Sequence, residues 1–174
     1  TGDELLEKSI ACFKELSPFF GECLEKMRTL NHLDLESRKG KAPGGYNCPL
    51  AESGAPFIFM NAAGQMHDVT TMVHEGGHAV HSFLAHPLEL NGFKEYPMEI
   101  AEVASMAMEL FSMDHWDAFF DNKEDLNRAK EHQLERVISI FPWIAIVDKF
   151  QHWVYEHPSH NHEERTNAWV AILN

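Results

Sequence analysis

One segment limits the possible fold more than any other. Met72 to His81 reads MVHEGGHAVH, within a stretch from about Gln65 to Phe83 where Met66, Val69, Val73, Gly76, Gly77, Val80 and Phe83 recur every 3.6 residues. That period predicts an amphipathic helix with one small or apolar stripe. A second face carries His67, Thr71, His74, His78 and His81. The adjacent glycines each cost a helix roughly 1 kcal/mol relative to alanine. A helix that keeps both must gain more than that from packing or from a ligand.

The segments around this helix are also legible. Leu6, Ile10 and Phe13, then Phe20, Cys23, Leu24, Met27 and Leu30, follow helical spacing, with Ser17 as a cap and Pro18 at the first helical position between them. Residues 1–36 are therefore expected to form a helical pair. Residues 37–55 hold Gly40, Pro43, Gly44, Gly45, Pro49 and Gly54, which predicts a loop or irregular hairpin. The apolar run Pro56 to Asn61 is the best strand candidate, completing a loop-and-strand segment over 37–62. Its Phe57 to Asn61 portion is expected to be a sheet edge along which an extended peptide could add.

Downstream, a connector with Pro87, Asn91-Gly92 and Pro97 leads to a helix whose core side is Ile100, Val103, Ala104, Ala107 and Phe111, so residues 63–122 hold two central helices. Asp121-Asn122 can cap a long helix through Leu126, Leu134, Val137, Ile138 and Phe141, kinked at Pro142 and continuing to Tyr155, within a final segment over 123–174. No repeat or low-complexity stretch interrupts the chain. The expected architecture is a single mainly α domain over 1–174 with a small β hairpin or edge strand.

Charge and cysteine content exclude several roles. The balance of 14 Lys+Arg against 27 Asp+Glu gives a net charge of -13, which repels phosphate backbones and anionic lipid, so nucleic acid is not an expected partner. The longest apolar run, Val137 to Val147, falls short of the about 20 residues that cross a bilayer and reads as buried core. No membrane span is expected. Cys12, Cys23 and Cys48 have no CxxC spacing and suggest neither a disulfide framework nor a thiolate zinc site. With no secretory signal at Thr1 to Lys8, a cytoplasmic location is expected. The missing initiator Met suggests a processed chain or a fragment.

The histidine face carries the chemistry. Residues four apart on a helix lie about 40° apart around the axis and about 6 Å along it, so His74 and His78 can point their imidazoles at one ion. An HExxH pair on a helix suits Zn2+, one per chain, with a third protein ligand from elsewhere and an open position for water. Glu75 sits beside the metal without ligating it, where it can act as the general base.

The third ligand is not a histidine six residues after His78, because that position is Leu84. His81 shares the face, but three side chains of one helix do not easily converge on one ion. It is expected to be structural or substrate-side. The helix starting at Pro97 exposes Glu102, Ser105 and Glu109 along one side. Glu102 is the expected third ligand, and Glu99 and Glu109 are candidates to accept hydrogen bonds from the ligand histidines.

HEGGHAVH followed by PMEIAEVASMAMEL resembles the thimet oligopeptidase and oligoendopeptidase F family of zinc metallopeptidases, and looks closest to the oligoendopeptidase F branch. The family's HExGHxxH helix is matched by His74, Glu75, Gly77, His78 and His81, and its glutamate ligand in an E-x-x-S segment by Glu102 with Ser105. The loop Gly40 to Tyr46 looks like the glycine-rich segment ahead of the family's active-site strand. The resemblance implies a zincin-like helical catalytic core and zinc-dependent cleavage of internal bonds in short peptides. It implies that Gly77 lets another backbone, strand or substrate, approach beside His78, whereas Gly76 answers only to a crowded neighbour. It also implies a longer parent, since family members carry a substrate-binding segment with a histidine and tyrosines well downstream of the zinc glutamate. His152, His157, His160 and His162 do not match that segment and read as surface groups. A piece without it would be a weak enzyme or inactive. Two rivals stand beside this reading: a noncatalytic zinc-stabilised helical module binding a peptide or a partner chain, and a metal-free helical bundle.

Overall fold

A computed structural model describes the chain from Thr1 to Asn174, the side chain of Met98 excepted. Helix α1 (Gly2–Leu16) starts where the Thr1 hydroxyl accepts the backbone N–H of Glu4, and α2 (Pro18–Thr29) starts directly after Ser17 with proline at its first position. Leu6, Ile10 and Phe13 of α1 and Cys23, Leu24 and Met27 of α2 are buried, whereas Phe20 is partly buried and Leu30, at the end of the expected stripe, is exposed.

The pair ends earlier than residue 36. Strand β1 (Leu33–Glu36) runs parallel to β3 (Phe57–Ala62), and β2 (Tyr46–Cys48) pairs antiparallel on the other side of β3. The sheet order β1-β3-β2 places β3 in the centre, which corrects the expectation that Phe57 to Asn61 is an edge. Strands of four and three residues are too short to show an alternation in sequence. They exist because β3 offers both flanks. Ile58 and Met60 on one face of β3 are fully buried.

The glycine-rich loop between β1 and β2 is tied down from both ends. Lys41 Nζ, on a side chain only 1% exposed, donates to Asp34 Oδ1 at 3.0 Å, to the Asp34 carbonyl at 2.9 Å and to the Glu36 carbonyl at 2.8 Å. It also lies 4.5 Å from the centre of the Phe59 ring. Asn61 Nδ2 donates to the carbonyls of Ala42 and Gly44, both at 2.9 Å. The guanidinium of Arg38, then the ammonium of Lys41, hold the Asp34 carboxyl well below the usual carboxylate range.

Helix α3 (Met66–Ala85) begins at Gln65, where the Asp68 carboxylate accepts the N–H groups of Ala63 and Gln65, both at 2.8 Å. After a connector with one 3-10 turn (Asn91–Phe93), α4 (Met98–Phe111) starts at Pro97, as its sequence predicts. A 3-10 segment (Ser112–Ala118) buries Trp116, whose indole N–H reaches Ser112 Oγ at 2.9 Å. Asn122 accepts the N–H of Asp125 and caps α5 (Lys123–Glu156), which runs as one helix through Pro142. A last helix, α6 (His162–Leu173), follows a capping box at Asn161.

Contacts divide the chain into two compact units, Thr1–Ala129 and Lys130–Asn174. The division falls inside α5, where an unbroken helix leaves no linker composition to read. In the second unit, the Trp169 ring meets Trp143 at 5.9 Å and Phe150 at 5.0 Å, edge to face. The run Val137 to Val147 is not the buried core its composition suggests. Ile138, Phe141, Trp143 and Ile144 are all at least half exposed. Apolar residues on every side of a helix cannot all face a single neighbour. No helix among the described residues is long and apolar enough to cross a membrane.

Candidate metal centre

The two glycines inside α3 have separate structural reasons. A Cβ on Gly77 would stand 2.7 Å from the Ala104 carbonyl oxygen and 2.8 Å from Ser105 Cα, both backbone atoms of α4. A Cβ on Gly76 would stand 2.6 Å from the Phe13 ring of α1. Gly77 thus admits a helix backbone, neither a strand nor a substrate, and Gly76 admits a core aromatic. The close approach of α4 at Gly77 brings Glu102, one turn away from Ser105, against the histidine face.

Three donor atoms meet there. His74 Nε2 lies 3.1 Å and His78 Nε2 3.4 Å from the same oxygen, Glu102 Oε2. Ligand atoms of all three residues fall within 4.8 Å of one another, and no other such group occurs among the described residues. With zinc–ligand distances of about 2.0 to 2.1 Å, tetrahedral geometry sets neighbouring ligand atoms about 3.4 Å apart. The two histidine-to-carboxylate distances fit that requirement. Two neutral imidazoles and a carboxylate are also the donor chemistry zinc accepts.

The surroundings set the state of each donor. His74 Nδ1 donates to Glu109 Oε1 at 2.6 Å, which leaves the Nε2 lone pair directed at the cluster. Glu109 is buried and His74 about a quarter exposed. Burial by itself would lower the His74 imidazole, but the Glu109 carboxylate, with the charges of Glu75 and Glu102, raises it above its ordinary value. His78 is lowered, chiefly by burial. The fully buried Ser105 hydroxyl lies 2.8 Å from Glu102 Oε2 and 3.1 Å from the Glu102 carbonyl, orienting a carboxylate that is otherwise more than half exposed.

Glu75 is buried at 6% exposure, and its Oε2 has no hydrogen-bond partner. Burial pushes its carboxyl up to about 7, with the Glu102 charge adding to the rise and His74 opposing it. It sits under the loop and β2: a Cβ on Gly45 would lie 3.3 Å from Glu75 Oε1, and Asn47 Nδ2 is 3.4 Å from the Glu75 carbonyl.

Of the remaining expected residues, Glu99 stands exposed and apart from the cluster, so Glu109 alone occupies the hydrogen-bonding position offered to both. His81 lies outside the donor group and stacks on Tyr96, ring centres 4.4 Å apart and planes 20° apart. Gly45, Asn47 and Tyr96 were not singled out as site residues in the sequence. Tyr96 directly precedes Pro97, but nothing in that dipeptide signals a ring contact twelve or more residues back.

An HExxH helix beside a glutamate-bearing helix, packed with a small mixed sheet, defines a zincin-like metallopeptidase core. Residues 19–174 match peptidase family M3, and the chain belongs to that family, in its oligoendopeptidase F-like branch. Its fold superposes with a TM-score of 0.93 on a Bacillus anthracis protein assigned as an oligoendopeptidase F, at 34% identity over 99% of this chain and 31% of that one. PZ peptidase A, solved with an inhibitor, gives a TM-score of 0.93 and 35% identity over 99% of this chain and 30% of its own. Oligopeptidase PepF of Bacillus subtilis is 36% identical over 81 residues, which are 44% of this chain and 11% of that protein. Group B oligopeptidase PepB of Streptococcus agalactiae is 28% identical over 109 residues, 63% of this chain and 18% of that protein. The chain therefore spans less than a third of each of these relatives.

Proposed function

We propose that this chain supplies the metal centre of a zinc endopeptidase that cleaves internal bonds of short peptides, with His74, His78 and Glu102 as protein ligands. The observation that carries the reading is the convergence of ligand atoms of His74, His78 and Glu102 within 4.8 Å of one another, with both Nε2 atoms 3.1 and 3.4 Å from one carboxylate oxygen. Zinc, when bound, supplies a Lewis acid that polarises a carbonyl and acidifies water. Glu109 keeps His74 in the tautomer that presents Nε2, and Ser105 holds Glu102 in place. Glu75 takes a proton from the attacking water at its unpartnered carboxylate and passes it to the leaving amine. A group with a pKa raised toward neutrality suits both halves of that transfer.

An extended peptide would add its main chain along β2, the outer strand in contact with the Glu75 backbone through Asn47. The three unpaired cysteines support a reducing compartment such as the cytoplasm. The noncatalytic rival needs a fourth protein ligand in place of water. His81, the first candidate for that position, stacks on Tyr96 instead.

The test uses the whole protein and a quenched-fluorescent peptide. Hydrolysis should stop on chelation and return with added Zn2+. Glu75→Gln should retain zinc and lose turnover. Loss of the metal in that variant would make Glu75 a ligand and overturn the scheme.

A further inference from the structure

Glu102 is the least constrained ligand of the set, at 56% side-chain exposure against 26% for His74 and 14% for His78. Its placement depends on where the first half of α4 lies. Gly77 fixes the second half, through Ala104, Ser105 and Met108. Ahead of Glu102 the apolar side chains are poorly covered. Leu88, Leu90 and Phe93 of the connector are exposed, Ile100 in the first turn is 48% exposed, and Pro97 provides no side-chain cap. One tie from the start of α4 to α3 is the half-buried Tyr96, whose ring lies flat on His81, three residues beyond His78.

We infer that His81 and Tyr96 form a positioning pair: their stack pins the start of α4 to the zinc-binding helix and so holds Glu102 within reach of the metal. The contact is a ring contact, with centres 4.4 Å apart and planes 20° apart, and His81 Nδ1 is buried with no hydrogen-bond partner. A flat apolar ring should therefore serve as well as imidazole. The phenol also senses the ligand it positions, since burial and then the Glu102 charge push its pKa up. Neither residue touches the reacting atoms, and loss of the stack acts through Glu102. This inference rests on the zinc reading above.

The test is zinc affinity in the intact protein, measured by competition with a chelating dye, and the visible spectrum of the Co2+-substituted protein. Tyr96→Ala should weaken zinc binding by about 10- to 100-fold, the range for residues that orient ligands. It should also change the cobalt bands, because the carboxylate ligand is displaced. Tyr96→Phe and His81→Phe should both keep the parental affinity and spectrum. Parental affinity in Tyr96→Ala overturns the inference. So does loss of affinity in His81→Phe, which would mean that the imidazole nitrogen matters. The Phe variants preserve packing and keep the test decisive even where Tyr96→Ala does not fold. If the parental protein binds no zinc, the metal reading fails, an outcome distinct from a parental protein that binds zinc and is indifferent to Tyr96.

Discussion

Two groups of histidines in this chain, similar in density, have opposite fates. His74 and His78 are partly buried, and carboxylates of a second helix meet both ring nitrogens of His74 and the Nε2 of His78. His157 and His160 instead place Nδ1 on local carbonyls, Trp153 at 2.8 Å and His157 at 2.6 Å, and lie against the Trp153 ring. His152 is 71% exposed, with Asp148 3.8 Å away. The contrast teaches that histidines join a candidate donor set where an element distant in sequence brings carboxylates to their ring nitrogens. Histidines answered by their own turn remain surface groups.

The hardest blow to the first group is His74→Ala. It removes a ligand, so zinc affinity should fall by more than the roughly 10- to 100-fold typical of residues that merely orient ligands. Dye competition would measure it, and an unchanged affinity would erase the distinction between the groups. Glu75→Gln should reduce turnover by about 10²- to 10⁴-fold, the usual share of a general base. Elemental analysis should still find zinc in that variant.

Gly77→Ala pushes a methyl group into the α4 backbone and should lower both the melting temperature and the metal affinity. Gly76→Ala, which meets only the Phe13 ring, should lower the melting temperature alone. Glu109→Gln leaves a weaker acceptor for His74 and should weaken zinc by about tenfold, sharpening the claim that the second helix makes the ligand. The double variant His157→Ala/His160→Ala should leave zinc content unchanged; a drop would break the comparison from the other side.

The smallest effect is a pH slope. The Glu75 carboxyl, ordinarily at 4.5, stands at about 7 in the folded, metal-free chain. Between those values the folded state holds more protons than the unfolded one, so stability declines as pH rises. His74, with its raised value, adds to the decline above its ordinary 6.5, whereas His78, with its lowered value, opposes it below 6.5. Thermal melts of metal-free protein from pH 5 to pH 8 should show that decline, shallower in Glu75→Gln.

Much of the fold was legible in the residues. Helices α2, α3 and α4 begin where Pro18, Gln65 and Pro97 stand, because caps and prolines act on neighbouring backbone. Strand β1 was not legible, since it depends on β3 for its hydrogen bonds, whereas β2 forms the irregular hairpin with β3 that its turn-rich segment suggests. The second unit was misread because hydropathy reports what a helix could bury, and a two-helix unit does not bury all of it.

By itself the sequence determined the local chemistry: an HExxH pair on one helix face, a carboxylate-bearing helix after it, and glycines whose cost demanded a reason. Spacing of three or four residues sets the geometry within one helix, and no other part of the chain is needed for that. Tertiary structure alone decided that Glu109 and not Glu99 meets His74, that β3 is central, that α4 fills the space beside Gly77, and that Tyr96 lies on His81. Each of those outcomes is a contact between elements far apart in the chain, set by how whole surfaces pack together.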